Sequence, residues 1–291
     1  MPNINLVTIS PAQLIGNDHT GGYDIGRFSK RFLAQGDSWF SIGHMPPWST
    51  TNLLQQMVLS HSAVAVDCAR PGQDLAHMLD TSTQQQFLSL MNSRVAWKWD
   101  AILISGGGND LIDALNADPG AHPEARLLLR ADEWSAAMGG VNRYISEPGW
   151  LTFSSHMEGL LLRLLFQRDK NLNRGVPLFL HTYDYLTPRN APAGPTLGPW
   201  LYKALHDTYQ IPEADWMALS DNFIDRHAEM WMALRSRHAL RNVRIVDTRN
   251  LTARAVPKTV GPSNDWENEI HPTPYGYSQL AGGWRTALDA L

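Results

Sequence analysis

Short runs of β-branched and apolar residues alternate with longer stretches whose apolar residues recur at helical spacing. This alternation constrains the fold more than any other feature of the chain. The strand candidates are residues 31–35, 62–67, 100–105, 176–182 and 243–247. Several are near-continuous apolar runs, AILIS and VPLFL among them, which suits strands covered on both faces. Helical patterns fall at residues 53–60, 73–79, 84–95, 131–145, 157–169 and 223–237. Strand and helix in alternation imply right-handed crossover units and a parallel sheet sandwiched between helices. In such open sheets a ligand binds at the carboxyl ends of the strands.

Two stretches interrupt the pattern. Residues 1–30 are polar and glycine-bearing and read as an arm outside the main sheet, with one domain over residues 31–291. Residues 186–200, LTPRNAPAGPTLGPW, come after the fourth strand candidate, so they would overhang the site edge as a cover or as an ordinary long connection. The leucine-rich residues 160–166 read as core.

Charge and composition exclude several classes. The formal net charge is −4 and no stretch concentrates Lys and Arg, which argues against a nucleic-acid partner. The nearest approach, Arg235-Ser236-Arg237-His238, reads as a solvated helix end. Cys68 is the one cysteine, so no internal disulfide forms. The opening MPNINLVTIS has no signal-peptide pattern, and no run approaches the ~18 apolar residues of a membrane span. A cytoplasmic location is the default expectation, and oligomeric state is not legible.

The residues with chemical potential cluster just past the strand ends. After the first strand comes Gly36-Asp37-Ser38-Trp39, after the second Arg70-Pro71-Gly72-Gln73-Asp74, and after the third Gly106-Gly107-Gly108-Asn109-Asp110. Near the C-terminus stands Asn268-Glu269-Ile270-His271-Pro272. A serine hydroxyl is a weak nucleophile and needs a neighbouring base, for which His271 is the candidate. At a strand-to-helix turn, the Ser38 N–H would face a developing oxyanion. Gly72 adds a second N–H and Asn109 a side-chain donor; removing one such donor typically costs ~3 kcal/mol of transition-state stabilisation.

These four blocks, in this order, resemble the SGNH hydrolases, also called GDSL-type esterases. GDSW resembles their nucleophile block, with Trp39 in place of the usual leucine; PGQD falls at their oxyanion glycine and GGND at their Gly-x-Asn-Asp block. NEIHPTPYGY resembles their closing histidine block. The resemblance runs in short blocks from Arg31 to the C-terminus. It implies a five-stranded parallel sheet of flavodoxin-like order in a three-layer α/β/α sandwich. It also implies a two-step acyl transfer through a Ser38 acyl-enzyme, needing no cofactor and no metal. One departure stands out: the family carries aspartate three residues before the histidine, where this chain has Asn268. The group orienting His271 is therefore open. It is Asn268 through its amide or its backbone carbonyl, one of the neighbouring acids Asp265, Glu267 and Glu269, or something elsewhere in the chain.

Other readings are weighed on the same residues. Asp37 and Asp110 read as braces of their turns. GGGNDL fits two of the three glycines of a dinucleotide fingerprint but has Leu111 at the third, so nucleotide binding is set aside. His181, Tyr183 and Asp184 end the fourth strand without a metal-binding spacing; Tyr183 and Asp184, with Trp39, are the substrate-contact candidates. Trp39, Trp48 and Trp266 flank the blocks as core or as pocket wall. The expectation is a serine esterase acting on small-molecule or carbohydrate esters, short acyl chains favoured. An acyltransferase using the same site and a non-catalytic ester- or sugar-binding module are the alternatives.

Overall fold

The computed structural model describes residues 3–16, 21–42, 51–93, 97–135 and 137–291. Strand β1 (Ile4–Asn5) and strand β2 (Val7–Ile9) precede helix α1 (Pro11–Ile15) and strand β3 (Lys30–Gly36). Helix α2 (Ser38–Ser41), strands β4 (Val58–Leu59) and β5 (Ala63–Asp67) and helices α3 (Leu75–Met78) and α4 (Gln85–Asn92) come next. Then come strand β6 (Ala101–Ser105), helices α5 (Gly108–Leu115) and α6 (Glu147–Arg168) and strand β7 (Leu178–His181). Helix α7 (Trp216–Arg237), strand β8 (Val243–Val246) and helix α8 (Pro274–Leu288) complete the order.

The main sheet has the strand order β2-β5-β3-β6-β7-β8, and every pairing in it is parallel. The five expected strands are all present and keep the flavodoxin-like order. The sixth corrects the reading of residues 1–30: Val7, Thr8 and Ile9 pair with Val64, Ala65 and Val66, so the N-terminal segment extends the sheet. Three residues are too few to register as a strand by periodicity, although each has strand propensity. β6, AILIS, is buried along its whole length, as a strand with a helical layer on either face must be.

Two expected helices are absent. Residues 53–60 turn back through β4, which pairs antiparallel with β1. Residues 131–145 hold two short 3₁₀ turns, Ala131–Glu133 and Gly140–Tyr144, rather than one helix. Gly140 sits at φ 59°, which ends helical propagation there. The Glu133 carboxylate binds Arg126 at 2.5 and 2.7 Å and closes the first turn on itself. In α6 the inward face of the leucine-rich run, Leu160, Leu161, Leu164 and Leu165, is core as expected, whereas Leu162 and Phe166 are exposed. The RSRH segment is the end of α7, where Arg237 and His238 both meet Glu158.

The register of the central strands positions the site. Gly36 of β3 lies opposite Ser105 of β6, and a Cβ on Gly36 would stand 2.8 Å from the Ser105 Cβ. The two strands therefore end level and close, which brings Ser38 and Asn109 to one edge.

Candidate active site

Ser38 is the first residue of α2, and Asp37 caps that helix by accepting from the Trp39 N–H at 3.0 Å. Asp37 is the centre of a buried network. It accepts from the Ser105 hydroxyl at 2.7 Å and from the Tyr183 phenol, while Ser105 bonds His181 Nε2 at 2.9 Å. Because the Ser105 proton is directed at Asp37, its oxygen accepts from His181, which is therefore the Nε2–H tautomer. Burial pushes the Asp37 carboxyl up to about 6 against the three donors, and it holds the His181 ring down to about 3. Burial and the facing Asp37 charge raise the Tyr183 phenol well above 10, so it remains a donor. Tyr183 adopts φ 61°, a strained backbone for a non-glycine residue. Asp37 thus braces the turn beneath the serine, as expected.

Two of the three glycines before Asn109 are explained by packing. Gly107 has φ 99°, and a Cβ there would meet His227 Nε2 at 2.6 Å. A Cβ on Gly108 would meet the Tyr183 ring at 2.7 Å. Asn109 Nδ2 donates to the Gln73 carbonyl at 3.0 Å, which ties the amide to the turn carrying Gly72. Asp110 accepts from the Leu75 N–H at 3.0 Å and braces the same turn from behind. Gly72 itself, at φ 73°, is exposed and does not border the cleft that Ser38 and Asn109 share.

His271 comes from the loop before α8. Its Nε2 lies 2.8 Å from Ser38 Oγ, and its Nδ1 lies 3.0 Å from Asn268 Oδ1. The same Asn268 atom accepts the backbone N–H of Ile270 at 3.1 Å and of His271 at 2.9 Å. Three donors converging on one atom identify it as the oxygen. His271 then carries its proton on Nδ1 and leaves Nε2 free to accept from Ser38. Burial holds the ring down to about 4, so it is neutral at pH 7. Among the neighbouring acids, Asp265 accepts from the Ala253 N–H at 2.7 Å.

Glu269 faces the other way. Its buried carboxylate accepts the backbone N–H groups of Arg189, Trp200, Leu201 and Tyr202, and burial pushes it up to about 7 despite these donors. Arg189 returns a bond of 2.6 Å to the Asn268 carbonyl, and Trp200 packs edge-on to His271 with ring centroids 5.6 Å apart. The 186–200 segment is thereby fastened to the histidine loop. Sequence reasoning named Glu269 for a different role and missed Arg189, Trp200 and Ser105; nothing in local spacing marks those residues.

The cleft at Ser38 spans about 550 Å³ including its open mouth, and Trp39, Asn109 and Tyr183 line it. Trp39 also packs against Trp266 and donates its indole N–H to the Ile270 carbonyl at 3.1 Å, so it is core and wall at once. Trp266 is core, and Trp48 lies outside the described residues. Asp184 does not line this cleft. Its carboxylate accepts from the backbone N–H of Tyr185, Asn250, Leu251 and Thr252 and from the Thr252 hydroxyl, at 2.7–3.0 Å. The Asp184→Ala variant should therefore lose ~3 kcal/mol of stability, because buried donors are left unpaired. A thermal melt should drop by roughly 6 °C or more, while KM of the folded fraction stays put; a changed KM would place Asp184 in the site after all.

Comparison with solved structures bears on the fold. A lipase from a goat rumen metagenome superposes with a TM-score of 0.52 at 15% identity, over 89% of this chain and 97% of that one. The chain shares the fold of that lipase, with a parallel sheet between helical layers. A protein named as a GDSL-like lipase from Parabacteroides merdae matches at TM-score 0.45 and 12% identity, over 89% and 94% of the two chains. The acetylxylan esterase Axe2 from Geobacillus stearothermophilus matches at 0.44 and 14%, over 88% and 93%. No family model and no curated protein sequence matches the chain. Among the described residues, no helix is long and apolar enough to cross a membrane.

Proposed function

We propose that this chain is a serine esterase that hydrolyses carboxylic esters with short acyl chains. The observation that carries the reading is the line Ser38–His271–Asn268, joined at 2.8 and 3.0 Å, with Asn109 bordering the same cleft. Ser38 Oγ attacks the ester carbonyl while His271 Nε2 takes the hydroxyl proton. The negative charge on the carbonyl oxygen is held by the Ser38 N–H and the Asn109 side chain. The tetrahedral adduct collapses as His271 hands the proton to the departing alcohol oxygen, leaving an acyl-Ser38. Water then gives a proton to His271 and its oxygen to the acyl carbon. The acid departs and the proton returns to Ser38.

An organophosphonate ester tests this reading. Wild-type protein should hydrolyse p-nitrophenyl esters and lose that activity as the phosphonate adds covalently, with the adduct mapped to Ser38 by mass spectrometry. An adduct on another residue would displace Ser38. No adduct and no hydrolysis would leave the non-catalytic binding module in its place.

A further inference from the structure

The cleft at Ser38 continues inward between α5 and α7. Its inner wall is built from Ile112 and Leu115 of α5, Phe223 and Ile224 of α7, and Leu186 and Leu201 from the connection after β7. All six are buried. The polar side chains that border this wall are engaged within the protein. The Ser220 hydroxyl donates to the Leu186 carbonyl at 3.2 Å, and the Tyr183 phenol donates to Asp37. Asp37 in turn holds Ser105 and the Trp39 N–H. A hydroxyl or charge entering here would lose its water without a partner, whereas an alkyl group would lose nothing.

The path of the proton sets the orientation of the substrate. The departing alcohol takes its proton from His271 Nε2, so the alcohol side of the ester lies beside that ring. His271 does not line the inner cleft, and Trp200 covers it from another side. The inner cleft runs instead past Asn109 along α5, on the acyl side of the carbonyl. From Leu111 to Leu115 it spans about one helical turn, roughly 6 Å.

We propose that the apolar cleft between α5 and α7 binds the acyl chain of the ester, selecting an unbranched aliphatic acyl group of butanoyl to hexanoyl length. This rests on the esterase reading above. It adds which half of the substrate is recognised, and by which residues. Polar or acidic acyl groups are excluded by the same wall. Acetyl esters are accepted but leave the cleft unfilled.

The test is a pair of ester series measured with each protein. In the first, acyl length runs from acetyl to hexanoyl on one alcohol; in the second, acetates carry alcohols of matching length. Active sites are counted by titrating Ser38 with a small phosphonate, so each rate refers to folded, competent protein. Wild type should gain about fourfold in kcat/KM per acyl methylene buried, and less along the alcohol series. Ile224→Phe, which fills the cleft, should lower the hexanoyl-to-acetyl ratio at least tenfold. Phe223→Ala, which widens it, should move the optimum to longer acyl chains; this variant keeps the test open if the first does not fold. A flat or falling acyl series in titratable protein would overturn the proposal, as would a rise that tracks the alcohol instead. Absence of both titration and hydrolysis would overturn the esterase reading beneath it.

Discussion

Ser38→Ala should lower kcat for a p-nitrophenyl ester by ~10⁶, the loss typical of removing a triad nucleophile. The fold should survive the change. Ser38 is not the cap of α2, since Asp37 fills that role through the Trp39 N–H. Among the described residues its hydroxyl bonds only His271 Nε2, at a cleft mouth that water can enter. The stability change should stay within ~1 kcal/mol. Nucleophile and base act as one unit, so His271→Ala, and the double variant, should each fall to about the same floor rather than multiply. Rates within a factor of ten of wild type in Ser38→Ala would place the nucleophile elsewhere.

The second large effect concerns Asn268. Its amide oxygen holds the His271 Nδ1–H and, through two backbone N–H groups, the bend of the loop beneath the ring. Asn268→Ala should lower kcat/KM by ~10³ to 10⁴, close to what loss of the third triad member costs where it fixes the tautomer. Asn268→Asp should restore the activity with a changed pH profile. In wild type a neutral amide faces the imidazole Nδ1, and burial holds the ring pKa to about 4. The acidic limb of kcat/KM should therefore lie near pH 4: below it the ring is protonated and cannot accept from Ser38. A carboxylate at position 268 favours the imidazolium, raising the ring pKa by one to three units. The limb of the Asp variant should then move up in pH by at least one unit. An unmoved limb would mean that another group titrates it.

The buried strands were the legible part of the fold, and the physical reason is coverage. A strand such as β6 with helices on both faces has no polar face, so it reads as an unbroken apolar run. β2 has only three residues and relies on its neighbour for definition. The missing helix at residues 131–145 is a case of tertiary context, an Arg126–Glu133 pair and a left-handed Gly140, overriding spacing. At the site, the meeting of Ser38, Asn109 and His271 was legible because each sits within a recognisable block. The orienting group was not, because Asn268 and the acids beside it differ only in which way a tight bend turns them. Glu269 and Asn268 are adjacent, yet they face opposite partners. The cleft wall was illegible for another reason: Phe223 and Ile224 have the pattern of core residues on α7, and only the packing leaves space beside them.

The Glu269 clasp has an evolutionary consequence. One carboxylate joins the connection after β7, which carries Leu186 and Leu201, to the loop that carries His271. Loops usually vary freely because they are attached only at their ends. This one is also attached in its middle. A graft or insertion that displaced the amides of residues 200–202 would strand a buried carboxylate two positions from the histidine. Relatives that diverge in substrate range should therefore have changed the side chains of α7 while conserving the length of this connection, so drift in preference would accumulate on a helix rather than in the loop at the rim.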